Sequence, residues 1–93
     1  MIRTFADKRT QLVAAGESPK GFPSSILKAA RRKLKMVDAA VVLTDLRVPP
    51  GNQLEALAGD RRGQHSIRIN DQWRICFVWT QEGPTDVEVV DYH

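Results

Sequence analysis

The spacing of apolar and polar positions changes once along the chain. Before "VPPG" at residues 48–51 the apolar residues recur with a helical period, and after it they alternate. Upstream, "IRTF" predicts a short first strand, and Asp7 is the expected cap of a short helix through "KRTQLVAA", ended by Gly16. A Pro/Gly/Ser-rich connector, "GESPKGFPSS", leads to the main helix, for which Ser24 or Ser25 is the expected cap. In that helix Ile26, Leu27, Ala30, Leu34 and Val37 fall on one apolar stripe, and Lys28, Arg31, Arg32 and Lys35 take the opposite side. "TDL" predicts one further short turn before Pro49, Pro50 and Gly51 break the chain.

Downstream, "NQLEAL", "GQHSIRI", "WRICFVW" and "DVEVVDY" predict four strands, with turns at "GD" and "EGP". Helices followed by an antiparallel meander imply a single α+β domain over residues 1–93. Its two or three N-terminal helices would cover one face of a small antiparallel or mixed sheet and leave the other open. The central hairpin decides what the open face carries. A three-residue "NDQ" loop pairs Ile69 with Trp73, Arg68 with Arg74 and Ile67 with Ile75, so that Ile67, Ile69, Trp73, Ile75, Phe77 and Trp79 all point to the core. A two-residue loop would set Arg68 against Trp73 and expose one strand's apolar set. The odd loop places Arg68 beside Arg74 on the open face, where like charges repel and an anion between them would remove the cost. In "DVEVVDYH", Val87, Val89, Asp91 and His93 share one parity and Glu88, Val90 and Tyr92 the other. With the valines in the core, Tyr92 joins the arginine face, and His93 reaches it only if the last residue turns.

The 93 residues suffice for one core without a covalent staple. The net charge of +3 is unevenly spread: residues 1–35 hold nine Lys/Arg against two acids, and residues 36–93 hold five against nine. The densest tract, "KAARRKLK", reads either as a solvated helix face or as a contact for a polyanion through Lys28, Arg32 and Lys35. No run approaches the roughly 20 apolar residues of a membrane span, and "MIRTFADKRT" has charges where a signal peptide needs an apolar stretch. A cytoplasmic location without membrane contact is expected. One cysteine and two histidines give no internal disulfide and little material for zinc, so neither structural metal nor cofactor is expected. Cys76 reads as a small strand residue, His65 as a packed or edge histidine, and Trp73 and Trp79 as core anchors.

The stretch "LEALAGDRRGQHSIRINDQWRICFVW" followed by "VEVVDYH" resembles the HigB toxins of bacterial toxin–antitoxin pairs, a branch of the RelE-like superfamily. The resemblance covers essentially the whole chain, with "MIRTFADK", "ARRKL" and "LRVPPGNQLEAL" matching the opening, main helix and linker. The combination of GDR, G-Q-x-S-I-R-I-N, Q-W-R-I-C-F and D-Y-H is far more specific than any one piece. It implies the RelE-like toxin fold and a metal-independent endoribonuclease acting on mRNA in the ribosomal A site. It also implies neutralisation by a HigA-like helix-turn-helix antitoxin, with operator DNA met only through the antitoxin complex.

Such cleavage needs a base for the ribose 2′-OH, positive charge for the pentacoordinate phosphorane, and an acid for the departing 5′-oxygen. Arg68 and Arg74 offer donors that suit the phosphate, and Asp91, which matches the family's terminal acidic residue, is expected to orient His93 or assist proton transfer. His93 has the proton affinity for acid or base work near neutrality, while Tyr92 better suits orienting or stacking on a nucleotide. Family members whose strand reads like "LHPLKGD" have a histidine and a lysine where this chain has Glu55 and Ala58. Glu55 is then either a replacement base or an exposed strand glutamate, and Arg61 is the candidate to replace the lysine's charge. The alternative is a catalytically weak or inactive RNA- or protein-binding module on the same fold.

Overall fold

A computed structural model describes residues 1–92 and shows two helices packed on a four-stranded antiparallel sheet of order β1-β2-β3-β4. The elements are α1 (Lys8–Ala14), α2 (Leu27–Ala39), β1 (Glu55–Ala56), β2 (His65–Arg68), β3 (Trp73–Thr80) and β4 (Gly83–Asp91). Short 3₁₀ turns at Ser24–Ile26, Leu43–Arg47, Pro50–Asn52 and Gly59–Arg61 fill the connections.

Asp7 caps α1 as expected, its carboxylate accepting the Thr10 N–H at 2.8 Å. The main helix departs from expectation. Ser24 and Ser25 form a 3₁₀ turn that feeds into α2, and neither serine caps it through its side chain. The turn supplies backbone acceptors instead, the Ser24 carbonyl taking the Leu27 N–H and the Pro23 carbonyl the Ile26 N–H. The "IRTF" segment contributes a single parallel bridge, Phe5 to Val87, flanked by Val87 N–H to Thr4 C=O and Ala6 N–H to Val87 C=O. It lies against β4, so closely that a Cβ on Gly83 would sit 2.4 Å from the Met1 carbonyl oxygen. Only glycine fits there, and its φ of +126° is a second reason.

The hairpin register is the one the alternation demands, with Ile67 opposite Ile75 and Arg68 opposite Arg74. Asn70 closes the loop: its side-chain oxygen accepts the N–H groups of Gln72 and Trp73 at 2.9 and 2.8 Å. The β3–β4 turn is Gln81 and Glu82, beginning one residue earlier than "EGP" suggests, because Gly83 and Pro84 already pair with Thr80 and Trp79. An irregularity between Cys76 and Val78 sets Asp86 and Val87 against one residue of β3. The extra residue sets Pro84 opposite Trp79, so that Pro84 is buried as Val87 and Val89 are. The core joins Ala30, Leu34 and Val37 of α2 with Ile67, Ile75, Phe77, Val87 and Val89 of the sheet, all at most 2% exposed. Thr10 ties the layers together by accepting the Val89 N–H at 3.0 Å.

Candidate active site

Residues of opposite parity to the core line the face that the helices leave uncovered. Arg68, Arg74 and Val90 form one row across β2, β3 and β4, and Glu55, Ser66, Cys76 and Glu88 form the next. The expected repulsion between the two arginines is not what governs them, because each is engaged by its own acid. Arg68 pairs with Asp71 of the hairpin loop. Arg74 has its Nη2 3.9 Å from Glu55, and Arg61, from the turn after β1, pairs with Glu88 at 3.4 Å. The face is therefore a lattice of alternating charge, and no anion is needed to hold it.

The two arginines are held very differently. Arg74 has only 12% of its side chain exposed, and it donates from Nε to Ser66 Oγ at 2.7 Å and from Nη2 to the Gln53 carbonyl at 2.7 Å. Its Nη1 makes no bond among the described residues, and a phosphate oxygen would complete it. Arg68 is 31% exposed, and its Asp71 partner is 98% exposed. Such a surface pair contributes about 0–1 kcal/mol, so exchanging the carboxylate for a phosphate costs little.

Three residues that the sequence reading passed over fix this geometry. Ser66 is fully buried on the open-face parity, where a serine without a partner would be costly, and that partner is Arg74. Asn52, also fully buried, donates to the Leu46 and Val48 carbonyls at 3.2 and 3.3 Å and accepts from Lys33 at 2.5 Å. It thereby fixes the turn that presents the Gln53 carbonyl to Arg74. Lys33 was hidden inside "KAARRKLK", yet it sits three positions after Ala30 and four before Val37, on the buried side of α2. Burial, with Arg32 and Arg68 nearby, pushes its ammonium below the ordinary lysine range.

Glu55 is exposed over 57% of its side chain yet stands beside Arg74, so it is both a surface glutamate and a group in reach of the cationic centre. Tyr92 donates its N–H to the Gln72 carbonyl at 2.6 Å, extending the pairing past β4, and its side chain stays exposed. Two residues after Val90, it continues the arginine parity. Asp91 has the other parity: it pairs with Trp73, and its carboxylate accepts from Gln72 at 3.1 Å. The expected role of His93 concerns a position outside the described residues. Cys76 is buried, and that burial pushes its thiol up, away from reactivity. His65 stacks on Phe77 with centroids 6.4 Å apart, a packed histidine. Trp73 packs against Phe22, and Trp79 lies partly buried against the core. Lys28, Arg32 and Lys35 are exposed on α2 and line a cleft against α1 and the N-terminal segment.

This face, built by the G-Q-x-S-I-R-I-N and Q-W-R-I-C-F strands, can be set beside known proteins. Residues 3–93 match the family model described as the RelE-like toxin of type II toxin–antitoxin system HigB. The chain is a member of the HigB toxin family. Among curated relatives of this HigB-family toxin, Toxin HigB-1 of Vibrio cholerae is 47% identical over 73 residues, covering 78% of this chain and 67% of the relative. Endoribonuclease HigB of Proteus vulgaris is 28% identical over the full length of both chains. An uncharacterized protein of Haemophilus influenzae is 39% identical over 62 residues, 67% of this chain and 61% of its own length. As a member of a type II system, the HigB-family toxin has an antitoxin partner. No helix among the described residues is long and apolar enough to cross a membrane.

Proposed function

We propose that this HigB-family toxin is a ribosome-dependent endoribonuclease that cuts mRNA in the cytoplasm through the arginine face of its sheet, without a metal or cofactor. One observation carries the reading: the Ser66–Arg74–Gln53 arrangement, which holds a largely buried guanidinium with one nitrogen unbonded among the described residues and available to an incoming oxygen. A donor fixed before the substrate arrives stabilises developing charge without reorganising, and such a donor is worth about 10²–10³ in rate. Arg68 and Arg61 supply further positive charge at the same face. Glu55 beside Arg74, and Asp91 and Tyr92 at the end of β4, are candidates for proton transfer, and His93 is a further one from its residue type, since an imidazole suits acid or base work at neutral pH. Exposed Tyr92 offers a ring for an unstacked base. The relative named Endoribonuclease HigB supports the same chemistry.

The antitoxin is taken to be a HigA-like helix-turn-helix protein, through which alone the complex meets operator DNA. The test is induction in bacteria with and without the neighbouring antitoxin gene, followed by mapping of mRNA 5′ ends. New ends within codons should appear with the wild-type chain and vanish with Arg74→Ala. The reading is wrong if Arg74→Ala, folded by circular dichroism, still arrests growth and leaves the same ends. Growth arrest by the wild type without new ends would select the non-catalytic binding module, which the exposed Ala58 in place of a family lysine favours.

A further inference from the structure

One lysine of the basic tract faces inward. Lys33 is 7% exposed, while Lys28, Arg32 and Lys35 around it on α2 stand in solvent. No carboxylate pairs with it among the described residues, and the charges that bear on it are those of two further cations, Arg32 and Arg68. A buried cation in that company is costly, and a helix that only packed would carry an apolar residue there. What the ammonium does have is Asn52 Oδ1, at 2.5 Å.

Asn52 carries the contact onward. With its oxygen taken by Lys33, its amide nitrogen faces the Leu46 and Val48 carbonyls, which fixes the rotamer. Its backbone N–H goes to the Pro49 carbonyl at 2.9 Å. The next residue, Gln53, has φ 47° and ψ 56°, a left-handed conformation that a residue with a Cβ seldom adopts. Gln53 is exposed, and what the fold uses is its carbonyl, which accepts from Arg74 Nη2 at 2.7 Å. Strained backbone persists only where its surroundings over-determine it. Here those surroundings are Asn52 and, behind it, Lys33.

We propose that Lys33 is a positioning residue for the cleavage, holding Asn52 so that the left-handed turn at Gln53 sets the plane of the Arg74 guanidinium. The relay starts on the buried side of α2 and ends on the open face of the sheet. Ser66 Oγ fixes Nε and the Gln53 carbonyl fixes Nη2, and two bonds to a planar group leave Nη1 in one place. Lys33 reaches Arg74 only through these groups, so its influence is on geometry. The consequence for rate rests on the ribonuclease reading, whereas the relay itself does not.

The test follows two quantities in the full chain: cleavage kinetics on programmed ribosomes, and the magnetic resonance signal of the Arg74 Nε–H, assigned by its loss in Arg74→Lys. Lys33→Met keeps the side-chain length and removes the donor. Gln53→Val sets a β-branched residue in the left-handed position at an exposed site, and Gln53→Gly relieves that position. Lys33→Met and Gln53→Val should each lower kcat about tenfold with KM within about twofold, because orientation is lost and not binding. Both should speed solvent exchange of the Arg74 Nε–H by about tenfold. Gln53→Gly should stay within about threefold of wild type in both quantities. Val13→Ala, in the core of α1 and outside the relay, should lower the melting temperature and move neither. If Lys33→Met melts below the assay temperature, Lys33→Gln replaces it, one bond short of the ammonium's reach and with the same outcomes expected. Wild-type kcat and exchange in the Lys33 and Gln53→Val variants overturn the proposal. Equal changes in Val13→Ala overturn it too, since the effect would then be stability alone. Should the wild-type chain cut no mRNA, the ribonuclease reading fails by itself, and the Arg74 exchange still decides for or against the relay.

Discussion

The two cationic surfaces of this molecule use the same residue types under opposite constraints. On the sheet face each arginine has an acid beside it, and Arg74 is fixed by Ser66 and a backbone carbonyl. On the helical layer the cations of α2 stand around aliphatic surface with few partners. The first arrangement suits chemistry, where a donor must be in place before charge develops. The second suits recognition, where flexible cations adjust to a partner's charges. Net charge alone, or a tally of Lys and Arg, would not separate them.

The largest effect should come from the last two residues, which follow β4 of the sheet. Deleting Tyr92 and His93 should leave a folded toxin that still binds antitoxin, because Val87 and Val89 remain buried, while mRNA cleavage falls by about 10² or more from losing an acid/base group. His93→Gln should give much of that loss. Undiminished growth arrest by the truncated, folded chain would move the acid/base work to Glu55 and blur the division between the two surfaces.

Next comes the orientation of Arg74. Ser66→Ala removes the acceptor for Nε and should lower kcat about tenfold with little change in KM, and cost about 1–3 kcal/mol of stability from the unpaired buried donor. Ser66→Thr keeps the hydroxyl and should restore most of the rate. Equal activity in the alanine and threonine variants would show that Arg74 needs no positioning. Arg74→Ala should itself lose stability as well as activity, since Ser66 and Gln53 lose their donor; simple repulsion with Arg68 predicted a gain.

Arg68 should behave differently from Arg74, which is the sharpest contrast within one face. Its partner Asp71 is exposed, so Arg68→Ala should shift stability by no more than about 1 kcal/mol while lowering cleavage. Asp71→Asn should keep or raise ribosome association by freeing the guanidinium. Parallel losses of stability and activity in Arg68→Ala would make it as structural as Arg74.

The smallest effect lies in the connector between the surfaces. The Val41 and Val42 N–H groups at 2.9 and 3.1 Å hold the Asp45 carboxyl below the ordinary aspartate range. A carboxyl lowered on folding stabilises fully above its unfolded pKa, and the contribution is lost as pH falls through the folded value. Thermal melts should therefore decline slightly more steeply below about pH 4 for the wild type than for Asp45→Asn. Identical slopes would mean that the carboxylate gives the turn nothing beyond a neutral amide.

Alternation by itself determined the hairpin register, because a one-residue slip would have carried Ile67 and Ile69 into water. The α2 stripe, the Asp7 cap and the inward valines of β4 were legible for the same reason: each is a local pattern with one low-energy solution. The D-Y-H, arginine and GDR residues could also be singled out from the sequence. Only the tertiary structure decided which groups surround the arginines. Whether Arg74 and Arg68 repel or are separately neutralised depends on Glu55 of β1, Asp71 of the hairpin loop and a carbonyl at Gln53, brought together by the fold. Lys33 and Lys35 look alike in "KAARRKLK", yet one reaches a buried asparagine and the other stays in solvent. The cleft beside Lys28 exists only because α1, α2 and the N-terminal segment meet there. Local periodicity fixes which side of an element a residue occupies, but the groups facing it belong to other elements, and those are set by packing.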